Sequence, residues 1–217
     1  MVKVILWDWD NTLVDTLNAV LSAQNDTRTH FGLPAWSRED AKQAMNKSGR
    51  DLLNTMFGEL KMKEARDYYL NAYLKYTQNN DVQLKPNAID VLKLSKEKGF
   101  YNILASNKAS SILKDELTRL KIDGFFDRVC AAEDINCDKP SKQFTDEALK
   151  GLDVDLLIAV GDGRSDVQMA RNYEEGIAVL IGTNPHTKEF EENFEKVKPD
   201  LYFTDFKAVL NLLSTNF

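Results

Sequence analysis

The chain has 217 residues, enough for one full hydrophobic core and a small second module. Its 43% apolar and 29% charged residues are ordinary for a globular protein, and its net charge of −6 with no basic block excludes a nucleic-acid surface. No apolar run approaches the roughly 20 residues needed to cross a bilayer.

Taken in order, Val2–Trp7 reads as a short buried strand, apolar on both faces and stopped by Asp8. That run is too brief for a signal peptide, and the two cysteines, Cys130 and Cys137, are too few for a disulfide framework. A reduced, cytoplasmic setting is therefore expected, with Cys130 an inert buried thiol. From Thr16 to Asp81 the pattern is helical, with no convincing strand. Leu17, Val20, Leu21 and Phe31 mark one helix, 41–45 a second, and Leu52–Phe57 a third. The last is an aromatic stripe of Ala65, Tyr69, Ala72, Tyr73 and Tyr76 at helical spacing, read as helix-on-helix core.

Strand and helix patterns then alternate. Strand runs fall at Tyr101–Ala105, Arg128–Ala132, Leu156–Val160 and Ile177–Ile181. Helical stripes lie between them: one from Pro86 to a stop at Gly99, one through Ile112, Leu113, Leu117 and Leu120 closed by Gly124, and one through Phe144, Ala148 and Leu149 ending at Gly151. Alternation of this kind predicts an α/β fold, a Rossmann-like doubly wound parallel sheet. The expected core is 1–15 with 82–217, and 16–81 is an inserted all-helical domain joined by linkers near Val14–Thr16 and 80–86.

Four polar segments sit at or just beyond the carboxyl ends of these strands, where open α/β sheets bind ligands. They are Asp8-Trp9-Asp10-Asn11-Thr12, Ser106-Asn107-Lys108, Lys139-Pro140 and Gly161-Asp162-Gly163-Arg164-Ser165-Asp166. Alone, each reads as a capped turn or a helix start. Together they supply the parts of a magnesium-assisted phosphoryl transfer: a carboxylate nucleophile, an acid/base, neutral donors, a cation and a metal cluster. Asp8 is the expected nucleophile. Asp10, two residues on, is placed to protonate the leaving oxygen and then to take a proton from the attacking water, a role that needs a closed, water-poor site. Thr12 is expected to orient Asp10 or the turn. Ser106 and the Asn107 amide offer donors to phosphoryl oxygens, Lys139 a point charge, and Asp162 and Asp166 hard oxygens for Mg²⁺. Trp9 is expected to pack the floor of the site, and His30 and His186 are given no role.

These segments resemble the motifs of the haloacid dehalogenase-like superfamily of phosphatases. D-W-D-N-T is similar to its nucleophile loop, with Asn11 where glycine is commonest; S-N-K resembles the second motif, D-K-P-S the third and G-D-G-R-S-D the fourth. The helical insertion resembles the cap placed after the first motif, in the subgroup of phosphoglycolate phosphatases and β-phosphoglucomutases. The resemblance implies that Asp8 is nucleophile and metal ligand, and that Asp10 is acid/base and lends its backbone carbonyl to the metal. It also implies that Ser106, Asn107 and Lys139 hold phosphate, that Asp162 ligates Mg²⁺, and that Asp166 supports the metal directly or through water. A loop between cap helices selects substrate in this subgroup, and Asn46-Lys47-Ser48-Gly49-Arg50 matches it best, making Lys47 and Arg50 candidate substrate contacts. Where relatives often carry Ala-Gly after the fourth motif, this chain has Tyr173-Glu174-Glu175-Gly176.

The expected partner is a small phosphorylated metabolite, with neither nucleic acid nor membrane. A phosphomutase shares every core motif and stands as the alternative. A dehalogenase lacks the second aspartate, so Asp10 argues against it. A phospho-accepting signalling domain needs neither a cap nor an acid two residues after its aspartate.

Overall fold

The computed structural model describes residues 2–40, 49–79, 82–182 and 194–217, with the backbone alone for 49–51 and 79. The core is one six-stranded sheet, all of whose pairings are parallel. Its strands are β1 (Val2–Trp7), β4 (Phe100–Ser106), β5 (Arg128–Ala131), β6 (Val154–Gly161), β7 (Ile177–Ile181) and β8 (Leu201–Phe203), in the order β5-β4-β1-β6-β7-β8. The chain runs outward from β1 to one edge, returns to the other side of β1, and runs outward again. This is the doubly wound topology that the alternating pattern predicts, with its switch point beside β1.

Both faces of the sheet are covered, so the central strands are mostly apolar, with Asn102 a buried polar exception in β4. Val4 and Leu6 of β1, Ile103 and Ala105 of β4, and Leu157 and Ala159 of β6 pack with Phe144, Ala148, Val167 and Met169 in one cluster. Phe144 and Ala148 belong to α6 (Lys142–Leu149), and Val167 and Met169 to α7 (Arg164–Arg171). Alternate residues of β1 point the other way, and Trp7 meets Phe206 of α8 (Phe206–Asn216) edge-on, with ring centroids 6.3 Å apart. Side chains of this size each contribute about 1.5–3 kcal/mol on burial.

Within the core unit, α3 (Ala88–Glu97) follows an Asn87 cap at φ 64°, so Pro86 lies in the preceding turn rather than in the helix. Helix α4 (Ser110–Leu120) ends on Lys121, itself left-handed at φ 56°, ahead of Gly124. The short helix α5 (Ala132–Ile135) takes up Ala132, expected in the strand before it. Strand β8 has no counterpart in the sequence reading. The expected linkers carry two-residue strands, β2 (Val14–Asp15) and β3 (Gln83–Leu84), paired in a sheet of their own.

The chain divides into two compact units, Met1–Val14 with Leu84–Phe217, and Asp15–Gln83. The second is built on α1 (Leu17–His30) and α2 (Gly49–Asn79). The two helical stripes expected at Leu52–Phe57 and from Ala65 onward are the two helical stretches of α2, separated by a kink at Gly58, whose φ of 69° and ψ of 165° suit glycine. Tyr73 is fully buried, His30 stacks on Tyr68 at 4.0 Å, and Phe31 meets Phe57 at 5.0 Å, so this unit has an aromatic core of its own. The helical pattern at 41–45 lies outside the described residues, as do Lys47 and His186. Among the described residues, no helix is long and apolar enough to cross a membrane.

Candidate active site

Three adjacent strands bring the motifs together. Trp7, the last residue of β1, pairs with Leu104 of β4 on one side and Val160 of β6 on the other. Asp8 and Asp162 directly follow the ends of β1 and β6, and Ser106 is the last residue of β4, so all three lie at the carboxyl end of the sheet. The Asp8 N–H still reaches the Val160 carbonyl at 2.9 Å, which holds the first turn of the loop to the sheet.

Lys139 is the hub. Its ammonium is 3% exposed and donates to Asp8 Oδ1 at 2.6 Å, Asp166 Oδ1 at 2.7 Å and the Ala105 carbonyl at 2.9 Å. An ammonium has three hydrogens, and three acceptors receive them. The lysine itself is placed by Asn107, whose side-chain amide accepts from the Lys139 N–H at 2.7 Å and donates to its carbonyl at 3.1 Å. The Asn107 side chain, expected to face phosphate, is thus a staple between two loops. Ser106 is buried at the end of β4, with its Oγ accepting the Lys108 N–H at 3.1 Å.

Thr12 also differs from expectation. Its hydroxyl donates to Asp8 Oδ2 at 2.8 Å, so it orients Asp8 and not Asp10. With Lys139 on Oδ1, the plane of the Asp8 carboxylate is fixed from both ends. Trp9 is fully buried, as a packing residue should be, but its indole N–H also donates to Glu116 Oε2 at 2.7 Å. Glu116, on α4, is a site residue that the motifs did not reveal, and Lys108, the last residue of the second motif, has a contact that the motif did not assign. Lys108 donates to Asp10 Oδ1 at 2.7 Å and lies 3.3 Å from Glu116. A signal was present for Glu116: it falls at helical spacing within the apolar stripe of Ile112, Leu113, Leu117 and Leu120, where a charge is out of place.

On the far side, Asp166 opens α7 and turns its Oδ2 back to the Gly163 N–H at 3.1 Å. Asp8, Asp162 and Asp166 present carboxylate oxygens that all lie within 4.8 Å of one another. One lysine cannot balance them. Burial, reinforced by Asp166 and Asp10 against the pull of Lys139, pushes the Asp8 carboxyl up to about 7. Burial with Asp8 and Asp166 raises Asp162 well above the carboxylate range. Lys139 moves the opposite way to an ordinary buried amine: burial disfavours its charge, but Asp166 and Asp8 outweigh it and raise its pKa. An all-oxygen donor set with excess negative charge fits a hard divalent cation such as Mg²⁺. By contrast Cys130 has its thiol pushed by burial up to about 11, in keeping with an inert core residue.

The sequence pattern of haloacid dehalogenase-like hydrolases matches residues 5–181, spanning the core motifs and the helical insertion alike. The chain belongs to that family. As a haloacid dehalogenase-like hydrolase it is 26% identical over 184 residues to the phosphoglycolate phosphatase of Aquifex aeolicus (strain VF5), covering 82% of this chain and 84% of the relative. It is also 24% identical over 221 residues to the pyrophosphatase PpaX of Anoxybacillus flavithermus (strain DSM 21510 / WK1), covering 98% and 99%. Its fold is similar to that of a haloacid dehalogenase-like family hydrolase from Streptococcus pneumoniae, with a TM-score of 0.78 and 21% identity over 97% of this chain and 98% of that one. These relatives carry different substrates in their names, so the family is shown and the phosphoglycolate subgroup is one branch among several. The family and the buried aspartate cluster together support a magnesium-dependent mechanism through an aspartyl-phosphate.

Proposed function

We propose that the protein hydrolyses a small phosphorylated metabolite of the phosphoglycolate type, with Asp8 as nucleophile and Asp10 as general acid and base. The observation that carries this reading is the Lys139 ammonium held between Asp8 and Asp166 in the middle of a buried three-carboxylate cluster. A carboxylate attacking a phosphate dianion meets like charge, and this arrangement places a fixed cation against the attacking group before substrate arrives.

Asp8 is oriented by Thr12 and Lys139, so one of its oxygens can approach phosphorus in line with the departing alkoxide. As that P–O bond breaks and the Asp8–phosphorus bond forms, Asp10 delivers its proton to the leaving oxygen. Water then attacks the acyl phosphate, Asp10 takes the proton back, and Asp8 departs as carboxylate. Asp8, Asp162 and Asp166 would hold Mg²⁺, with the backbone carbonyl of Asp10 as a further ligand; bound there, the ion supplies charge neutralisation for the phosphoryl oxygens. Ser106 contributes a neutral donor, and Lys139 shares its charge with the phosphate. The helical unit at 16–81 serves as a cap, with Lys47 and Arg50 as substrate contacts; Lys47 and the Arg50 side chain lie outside the described residues.

A second reading is hydrolysis of inorganic pyrophosphate, favoured by the near-complete coverage of the PpaX pyrophosphatase. Phosphate release measured with Mg²⁺ across phosphoglycolate, sugar phosphates, other alkyl phosphomonoesters and pyrophosphate tests both. The proposal expects an alkyl phosphomonoester to lead; a lead for pyrophosphate selects the second reading, and isomerisation of a sugar phosphate without net release would make the protein a mutase.

A further inference from the structure

Beyond the roles read from the motifs, the site holds a buried charged pair aimed at Asp10. Lys108 is 6% exposed in its side chain and places its ammonium 2.7 Å from Asp10 Oδ1 and 3.3 Å from Glu116 Oε2. Glu116 is wholly buried, and the same oxygen receives the Trp9 indole N–H at 2.7 Å. Consecutive residues of the nucleophile loop, Trp9 and Asp10, are thus gripped by one pair of side chains from the neighbouring strand-to-helix segment.

Stability does not account for this choice. A carboxylate and an ammonium taken out of water lose hydration that their attraction seldom repays, and apolar side chains of similar volume commonly do as well or better. Its buried neighbours along α4, Ile112, Leu113 and Leu117, are apolar, so an aliphatic residue at position 116 would continue the stripe. Geometry does account for it. A carboxyl group has two oxygens that exchange places by rotation about the terminal bond of the side chain, and only one of them can carry the proton for the leaving group.

We infer that Lys108, held in place by Glu116, is a positioning residue for Asp10: its ammonium donates a hydrogen bond that fixes Oδ1, whether Asp10 is protonated or ionised, and leaves Oδ2 to deliver and recover the proton. The inference rests on the acid/base reading of Asp10. The proton moves from Asp10 Oδ2 to the leaving oxygen as its bond to phosphorus breaks, and returns to Oδ2 from the attacking water. Lys108 keeps its own protons throughout.

The test is leaving-group dependence. p-Nitrophenolate leaves with little help, whereas an alkoxide needs a proton, so a defect in proton delivery shows on alkyl phosphates above all. In Lys108→Met, kcat/KM should fall about ten- to a hundredfold further on an alkyl phosphomonoester than on p-nitrophenyl phosphate. In an Asp10→Asn background the same change should add less than about threefold on the alkyl substrate, since both act through one proton. Glu116→Gln, which keeps an oxygen for Trp9 but removes the charge facing Lys108, should shift the ratio in the same direction, and it serves if Lys108→Met does not fold. Equal losses on the two substrates, or additive losses with Asp10→Asn, overturn the inference. If Asp10→Asn itself fails to discriminate between the substrates, the acid/base reading falls and takes the inference with it. If Asp10→Asn discriminates and the Lys108 and Glu116 variants do not, the inference alone falls.

Discussion

Gly161 and Asp166 approach so closely that a Cβ at position 161 would lie 2.1 Å from Cγ of Asp166. The end of β6 is glycine because the carboxylate of the next helix lies against its backbone, and that carboxylate holds Lys139. Gly161→Ala must therefore displace Asp166. We expect it to lower kcat/KM by about a hundredfold or more and to weaken Mg²⁺ binding measured by calorimetry. A folded Gly161→Ala protein with unchanged activity would show that Asp166 is not needed where it stands.

Asn107→Ala removes both hydrogen bonds that hold the Lys139 peptide. The variant should lose about 1–3 kcal/mol of stability in urea unfolding, because buried loop groups are left unpaired. Its kcat should drop with it as Lys139 loosens. A rise in KM alone, with stability intact, would instead mark Asn107 as a direct phosphate donor.

Without divalent metal, stability should fall as pH rises. The Asp8 carboxyl sits near 7 in the folded chain and near 3.8 when free, so the folded state holds its proton more tightly than the unfolded state does. Above about pH 4 the unfolded chain releases that proton first, and stability declines until the folded group also ionises near 7. Asp162 is raised in the same sense, while Lys139 stays charged across this window and adds no slope. In EDTA, wild type should lose stability between pH 5 and 8 more steeply than Asp8→Asn, and Mg²⁺ should flatten the wild-type curve. A wild-type curve that rises over this range would contradict the uncompensated charge at the site.

Asp8→Asn should also abolish steady-state phosphatase activity while leaving the circular dichroism spectrum unchanged, since an amide neither attacks phosphorus nor ligates a cation as a carboxylate does. Measurable turnover in a pure sample would falsify covalent catalysis through this residue.

Chelation should silence the wild-type enzyme, and Mg²⁺ should restore it. Ca²⁺ should inhibit, because its larger and looser oxygen shell would spoil in-line geometry. Asp162→Asn should raise the Mg²⁺ concentration needed for half-maximal activity by about tenfold or more. Full activity after exhaustive chelation would remove the metal from the mechanism.

Much of this was legible because the central strands are buried on both faces. A run such as Val2–Trp7 has no polar side to blur it, and a polar residue straight after it, Asp8, marks the carboxyl end where ligands bind. The strands that escaped are short or lie at the edge. Leu201–Phe203 leaves Tyr202 exposed, and two residues of Val14–Asp15 show no period. Partnerships were less legible than positions. Thr12 and Asn107 were placed in the site by their motifs, yet which neighbour each hydroxyl or amide meets depends on backbone direction within the turn. Glu116 was hidden by its own stripe, because helical periodicity records which residues face inward and not what they meet there.

The pairing of Val14–Asp15 with Gln83–Leu84 has a consequence for how such a protein can be rebuilt. Hydrogen-bonded neighbouring strands lie about 5 Å apart, so the intervening stretch departs from and rejoins the core at nearly one point. The helix that carries the chain from β1 back to β4, Ala88–Glu97, comes only after that detour. A short peptide could bridge the gap, or a foreign module of any length could fill it, and the strand order of the sheet would not have to change. The paired strands are thus a natural seam in the chain, a place where the core could be closed without altering its strand order.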